Sequence, residues 1–112
     1  MKLLRYGPAG RERPGMLDAQ GRLRDLSGVI EHVTSEHLSD RALARLKKID
    51  PASLPLVRGT PRLGVTYLGI SKLVAIGLNY ADHAAEAGRA APSEPIVFLK
   101  ATTCITGPCD DI

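Results

Sequence analysis

Leu73-Val-Ala-Ile-Gly-Leu-Asn-Tyr-Ala-Asp-His-Ala-Ala-Glu-Ala-Gly88 is the stretch on which the reading of this chain turns. Leu73 to Ile76 is a short apolar run of the kind that forms a buried strand. Gly77, Leu78, Asn79 and Tyr80 then lead into a helical segment carrying Asp82, His83 and Glu86. His83 and Glu86 stand three apart, so a helix projects both side chains from one face. A carboxylate beside an imidazole orients the ring and stabilises its protonated form, which is what a general base working near neutral pH requires. The same spacing occurs on ordinary solvated helix faces, so spacing alone leaves both readings open.

On the C-terminal side, a Pro-bounded loop from Ala90 to Pro95 precedes Ile96-Val97-Phe98-Leu99, a second strand candidate followed by Lys100. On the N-terminal side, Lys2 to Tyr6 reads as a strand ended by Gly7-Pro8. Pro14 to Leu17 and Arg22 to Leu26 flank the turn Asp18-Ala19-Gln20-Gly21 and predict a β-hairpin. Ser39 is placed to cap a helix from Asp40 to about Lys48, with Ala42, Leu43 and Leu46 as its apolar stripe and Pro51 as its stop. From Leu54 to Arg62, prolines and Gly59 describe an extended connector. These elements predict a mixed α/β fold of the α+β kind. Residues 1–60 would form a small N-terminal domain, 61–71 a linker, and 72–112 the start of a second, β-rich domain.

The 112 residues, 44% hydrophobic and 24% charged, suit a folded chain whose core is mainly aliphatic, since it has one Phe, three Tyr and no Trp. The net charge of +3 is concentrated before Leu26, where Lys2, Arg5, Arg11, Arg13, Arg22 and Arg24 face Glu12, Asp18 and Asp25. No dense basic patch with stacking aromatics accompanies them, which argues against a nucleic-acid partner. Cys104 and Cys109 lack both a zinc spacing and a nearby histidine, so reduced, incidental thiols are expected. No apolar run is long enough to span a bilayer and no leader follows Met1, so no membrane partner is expected and the cytoplasm is the default location. His32 and His37 lie apart from any cluster of ligand spacing and take no role. Gly77 and Gly88 are accounted for by turn and helix-end duties, not by a dinucleotide fingerprint.

The string IGLNYADHAAEAG at 76–88, followed by EPIVFLKATTCITGP at 94–108 and Asp110-Asp111-Ile112, resembles the fumarylacetoacetate hydrolase family, in particular its smaller bacterial-type members. KLLRYG at 2–7, DAQGRLRDLSG at 18–28 and DPASLPLV at 50–57 resemble the small N-terminal domain that some members carry. The resemblance implies that 72–112 begins the catalytic domain, with His83 and Glu86 as a catalytic dyad. It favours a site-forming role for Asn79, with Tyr80 beside it, and an anion contact for Lys100. Tyr80 reads equally as packing, and Lys100 as an exposed lysine at a strand end.

The implied chemistry is metal-assisted hydrolysis, lyase or isomerase chemistry on small 2-oxo acids, with Mg²⁺ or Mn²⁺ as cofactor and a homodimer as the usual assembly. Leu78 stands where acylpyruvate-cleaving members often carry Arg, leaving a ureidoglycolate lyase-like or dienedioate isomerase-like assignment open. The family's metal ligands, a Glu-x-Glu pair and a later Asp, lie beyond the part that Ile112 matches. Asp110 and Asp111 are not expected to replace them, so no metal ligand is assigned. The chain alone is therefore expected not to turn over substrate. The alternative is a non-catalytic chain acting in folding or association.

Overall fold

The structure, a computed structural model, describes residues 1–111. The chain folds as two compact units. One is Met1–Gly69 together with the segment from Ile105 onward, and the other is Ile70–Cys104. The mixed α+β class read from the sequence is what the structure shows, with helices and antiparallel sheets in one chain.

The first unit is built on a three-stranded antiparallel sheet of β1 (Leu3–Tyr6), β2 (Arg13–Leu17) and β3 (Leu23–Asp25), in that order. Met16 pairs with Leu3 on one side and Arg24 on the other. The β2–β3 turn is held by Asp18, whose carboxylate accepts the backbone N–H of Gln20 at 3.0 Å and of Arg22 at 2.9 Å. The helix α1 (Asp40–Leu46) begins at Ser39, whose hydroxyl accepts the Ala42 N–H. It ends at Leu46, before the expected Lys48, and Pro51 opens a separate 3₁₀ turn, Pro51–Ser53, instead of stopping the helix. Pro at the first position of a turn lacks only an N–H that would be unpaired there anyway.

Met16, Leu26 and Leu46 form the core of this unit, with Leu3, Ile30, Ile49 and Leu54 packed around them. The helix stripe thus meets the inward face of the hairpin. Each such side chain removed from water contributes about 1.5–3 kcal/mol.

The stretch read as a connector has a structural task. Asp25 donates its N–H to Pro55 O at 2.9 Å and Val57 donates to Leu23 O at 3.0 Å, pairing the β3 edge. A few residues on, Gly7 donates to Arg62 O at 2.9 Å and Gly64 to Arg5 O at 2.9 Å, pairing the β1 edge. Both edges of the sheet are thereby occupied, which removes the unpaired row of donors and acceptors that an open edge presents.

In the second unit, β4 (Leu73–Gly77) and β5 (Ile96–Lys100) pair antiparallel, Leu73 opposite Lys100 and Gly77 opposite Ile96, with α2 (Ala81–Glu86) between them in sequence. Ala84 is the buried residue of α2, and β5 is exposed along its whole length. Among the described residues no helix is long and apolar enough to cross a membrane.

Candidate functional site

The turn from β4 into α2 is made by an unusual backbone. Leu78 has φ of +47°, and no other non-glycine residue among those described has a positive φ. This left-handed conformation is disfavoured for a residue with a branched side chain, and such strain collects at functional sites and sharp turns. Tyr80 then takes extended angles, φ −116° and ψ 133°, as the residue before the first turn of α2. The helix closes at Gly88, whose φ of +65° suits a residue without a Cβ, and whose N–H is donated to Ala85 O at 3.0 Å.

His83 and Glu86 both lie on this helix, as their spacing predicts, and both are exposed. The backbone N–H of His83 is donated to the Asp82 carboxylate at 2.8 Å. Among the described residues no hydrogen bond or ion pair joins the His83 imidazole to Glu86. Asn79 and Lys100 are exposed, and Tyr80 keeps 70% of its surface. A cavity of about 500 Å³ lies at the end of β4, lined by Gly77, Leu78, Asn79 and Ala81 and bounded by the loop from Ala91 to Pro95. It brings Asn79 against the start of α2. His83, Glu86, Tyr80 and Lys100 are outside its lining.

The residues described do not assemble a cation site: no group of three or more His, Cys, Asp or Glu side chains is close enough to hold a metal ion. Cys104 and Cys109 are exposed, free thiols. His37 has a local duty, its ring Nδ1 lying 2.9 Å from the Thr34 hydroxyl at the start of the 3₁₀ turn Ser35–Leu38.

The charged cluster that composition passed over lies in the first unit. Arg62 donates Nε and Nη2 to the two carboxylate oxygens of Asp110, at 2.6 and 2.5 Å, and Nη1 to Glu12 at 2.8 Å. Arg5 donates to the other oxygen of Glu12 at 3.0 Å. Arg62 lowers the pKa of Glu12, with burial opposing, and together with the Gly107 N–H lowers that of Asp110. These two carboxylates raise the Arg62 pKa in return. In the hairpin, burial of Asp18 is outweighed by hydrogen bonds from Arg22 and Arg24, and its carboxyl lies well below the usual range. Arg62 and Asp110 are 48 residues apart, so no local spacing announces their pairing.

A chain of the same fold is the fumarylacetoacetate hydrolase of the psychrophile Exiguobacterium antarcticum, with a TM-score of 0.66 and 29% identity over the whole of this chain and 39% of that one. A provisionally named hydrolase of Burkholderia ambifaria is 60% identical over all 112 residues, and one from Burkholderia multivorans is 58% identical. No protein-family model matches the chain. The chain is thus similar in fold to a fumarylacetoacetate hydrolase and in sequence to these Burkholderia proteins. It spans 40% of the length of the curated relatives it matches.

Proposed function

We propose that this chain supplies the general-base segment of a hydrolase acting on small 2-oxo acids, His83 being the base and Glu86 the carboxylate that orients it. The observation that supports the reading is the placement of both, exposed, on α2 directly after the strained turn at Leu78, a turn whose Leu78 and Asn79 line the cavity although His83 and Glu86 do not. His83 accepts a proton from the attacking water, and Glu86 steadies the imidazolium that results. Asn79 and Tyr80 contact the substrate from the turn, and Lys100 offers a cation to its carboxylate from the end of β5. In this reading residues 72–112 open the catalytic domain and residues 1–60 form a separate small one. The divalent cation of the family would be bound by carboxylates that the described residues do not provide, so no step is drawn through it.

The test uses an extended protein in which the chain is joined to the remaining part of a Burkholderia relative. His83→Ala and Glu86→Ala are each expected to lower the rate of oxo-acid turnover by about 10²–10⁴-fold. The double variant should lose little more, because the pair acts as a unit. Mg²⁺ affinity should stay unchanged. Near-normal rates in both single variants, or loss of Mg²⁺ binding in His83→Ala, would leave only an ordinary solvated helix face.

A second reading is favoured by one observation, the absence of a metal-holding cluster among the described residues. The isolated chain would then act in folding or association, and Mg²⁺-dependent cleavage of an acylpyruvate by the purified chain would exclude it.

A further inference from the structure

A cavity of about 570 Å³ opens in the first unit, where the start of β2 meets the segment from Ser27 to His32. Its volume lies in the range of small-molecule sites. Arg5, Arg11 and Arg13 are the guanidinium groups of its wall, set against the carboxylates of Glu12 and Glu31. Glu12 is already engaged: its two oxygens accept from Arg5 at 3.0 Å and from Arg62 at 2.8 Å, and Arg62 is not part of the wall. Arg13 gives Nη2 to Asp25 at 2.7 Å and Nε to Ser27 Oγ at 3.0 Å. Arg11 is exposed and enters no ion pair among the described residues. Glu31 stands at the rim, its side chain 92% exposed and 3.9 Å from the His32 ring.

The decisive atom is Arg5 Nε. Arg5 is 4% exposed, and its terminal nitrogens donate to Glu12 and, at 3.1 Å, to Val65 O. Its Nε is buried and has no acceptor among the described residues. A buried donor left unpaired on a charged group is costly, and such an orphan calls for a reason. The rest of the wall is aliphatic, with Pro14, Val29, Ile30 and Leu68. Val29 and Leu68 are exposed. A basic wall joined to an aliphatic one suits an amphipathic anion, and the guanidinium fork matches a carboxylate. The partners outside the wall, Arg62 and Asp25, cancel in charge, so the three arginines and two glutamates leave one positive charge in excess. We infer that this cavity binds a small organic monocarboxylate. Its carboxylate is held by Arg11 and by Nη1 of Arg13, and its apolar tail lies on Val29, Ile30 and Leu68. The bound anion also gives a counter-charge to the wall that carries Arg5 Nε. The site draws on none of Asn79, Tyr80, His83, Glu86 or Lys100, so it stands apart from the role given to α2.

The experiment titrates hexanoate into the 112-residue chain and follows backbone amide shifts by NMR. Saturable shifts are expected at Gly10 to Arg13 and at Gly28 to Ile30, with a dissociation constant on the order of 1 mM. Arg11→Gln should weaken binding about tenfold or more, as the loss of one charged hydrogen bond does. Arg11→Lys, which keeps the charge and loses the fork, should restore only part of it. Arg11 is exposed, so both variants should fold, and an unchanged urea midpoint verifies it. Arg41→Gln makes the same charge change at an exposed position of α1 outside the cavity and should leave binding unchanged. Hexanamide, which lacks the charge, and inorganic phosphate, which lacks the tail, should each bind about tenfold more weakly or worse. The inference is overturned by shifts that do not saturate by about 30 mM hexanoate, or that fall away from the cavity. Equal affinity in Arg11→Gln overturns it too, as does hexanamide or phosphate binding as tightly as hexanoate.

Discussion

Met16 is 1% exposed and touches the hairpin and α1 sides of the core at once, so its truncation has no nearby chain free to fill the space. Met16→Ala is expected to destabilise the first unit by about 2–5 kcal/mol, measured as the change in urea unfolding free energy. Gly107 is required for a different reason. A Cβ built there would lie 2.2 Å from the Leu63 carbonyl oxygen, so any side chain forces backbone apart. Arg62 controls a pH response. Because it holds the Glu12 and Asp110 carboxyls below their ordinary values, the unfolded chain binds protons there more readily than the folded one. The stability this contributes is complete above about pH 5 and is lost as pH falls through the depressed folded values. Arg62→Gln should therefore lower the urea midpoint at pH 7, and its gap from the unaltered chain should close steadily below about pH 4.5. A gap that stays constant down to about pH 3 would show that the pairing contributes nothing.

The segment from Pro55 to Gly64 shows how an element without regular structure can complete a sheet. It hydrogen-bonds to β3 at one end and to β1 at the other, and Leu56 and Leu63 form isolated bridges to Arg24 and Tyr6. Val57→Pro removes the N–H donated to Leu23 O and should cost about 1–3 kcal/mol, while leaving the β1 edge paired. Hydrogen exchange at Gly7 and Gly64 separates the two outcomes: protection retained there with loss at Asp25 supports independent edges, and loss at all three supports a single cooperative one. The helix α1 was legible from its Ser39 cap and its Leu43–Leu46 stripe. Its early end was not, since the last turn continues as irregular bonds from Lys48 to Arg45 and Ile49 to Leu46 that draw Ile49 onto the core.

Across the chain, burial is uneven. The first unit holds Met16, Leu26, Val33 and Leu46 almost wholly out of water, whereas the second has Ala84 as its buried apolar residue. Amides of β1 and β2 are accordingly expected to exchange slowly, near the rate set by global unfolding, and those of β4 and β5 faster by two or more orders of magnitude. Equal protection of both sheets in the isolated chain would contradict this. Strands, hairpin and both helices could be placed from sequence because they depend on local facts: apolar periodicity, a capping serine, and glycines at turns. The position of His83 and Glu86 on one helix face was legible for the same reason, a spacing of three being a local property. What tertiary structure alone decided is the return of the chain from Ile105 to the first unit, held by Arg62 and Asp110, and the use of a proline-rich connector to pair two sheet edges. Both join residues distant in sequence through hydrogen bonds and charge, and such partners are chosen by the path of the backbone in space, which no short-range pattern encodes.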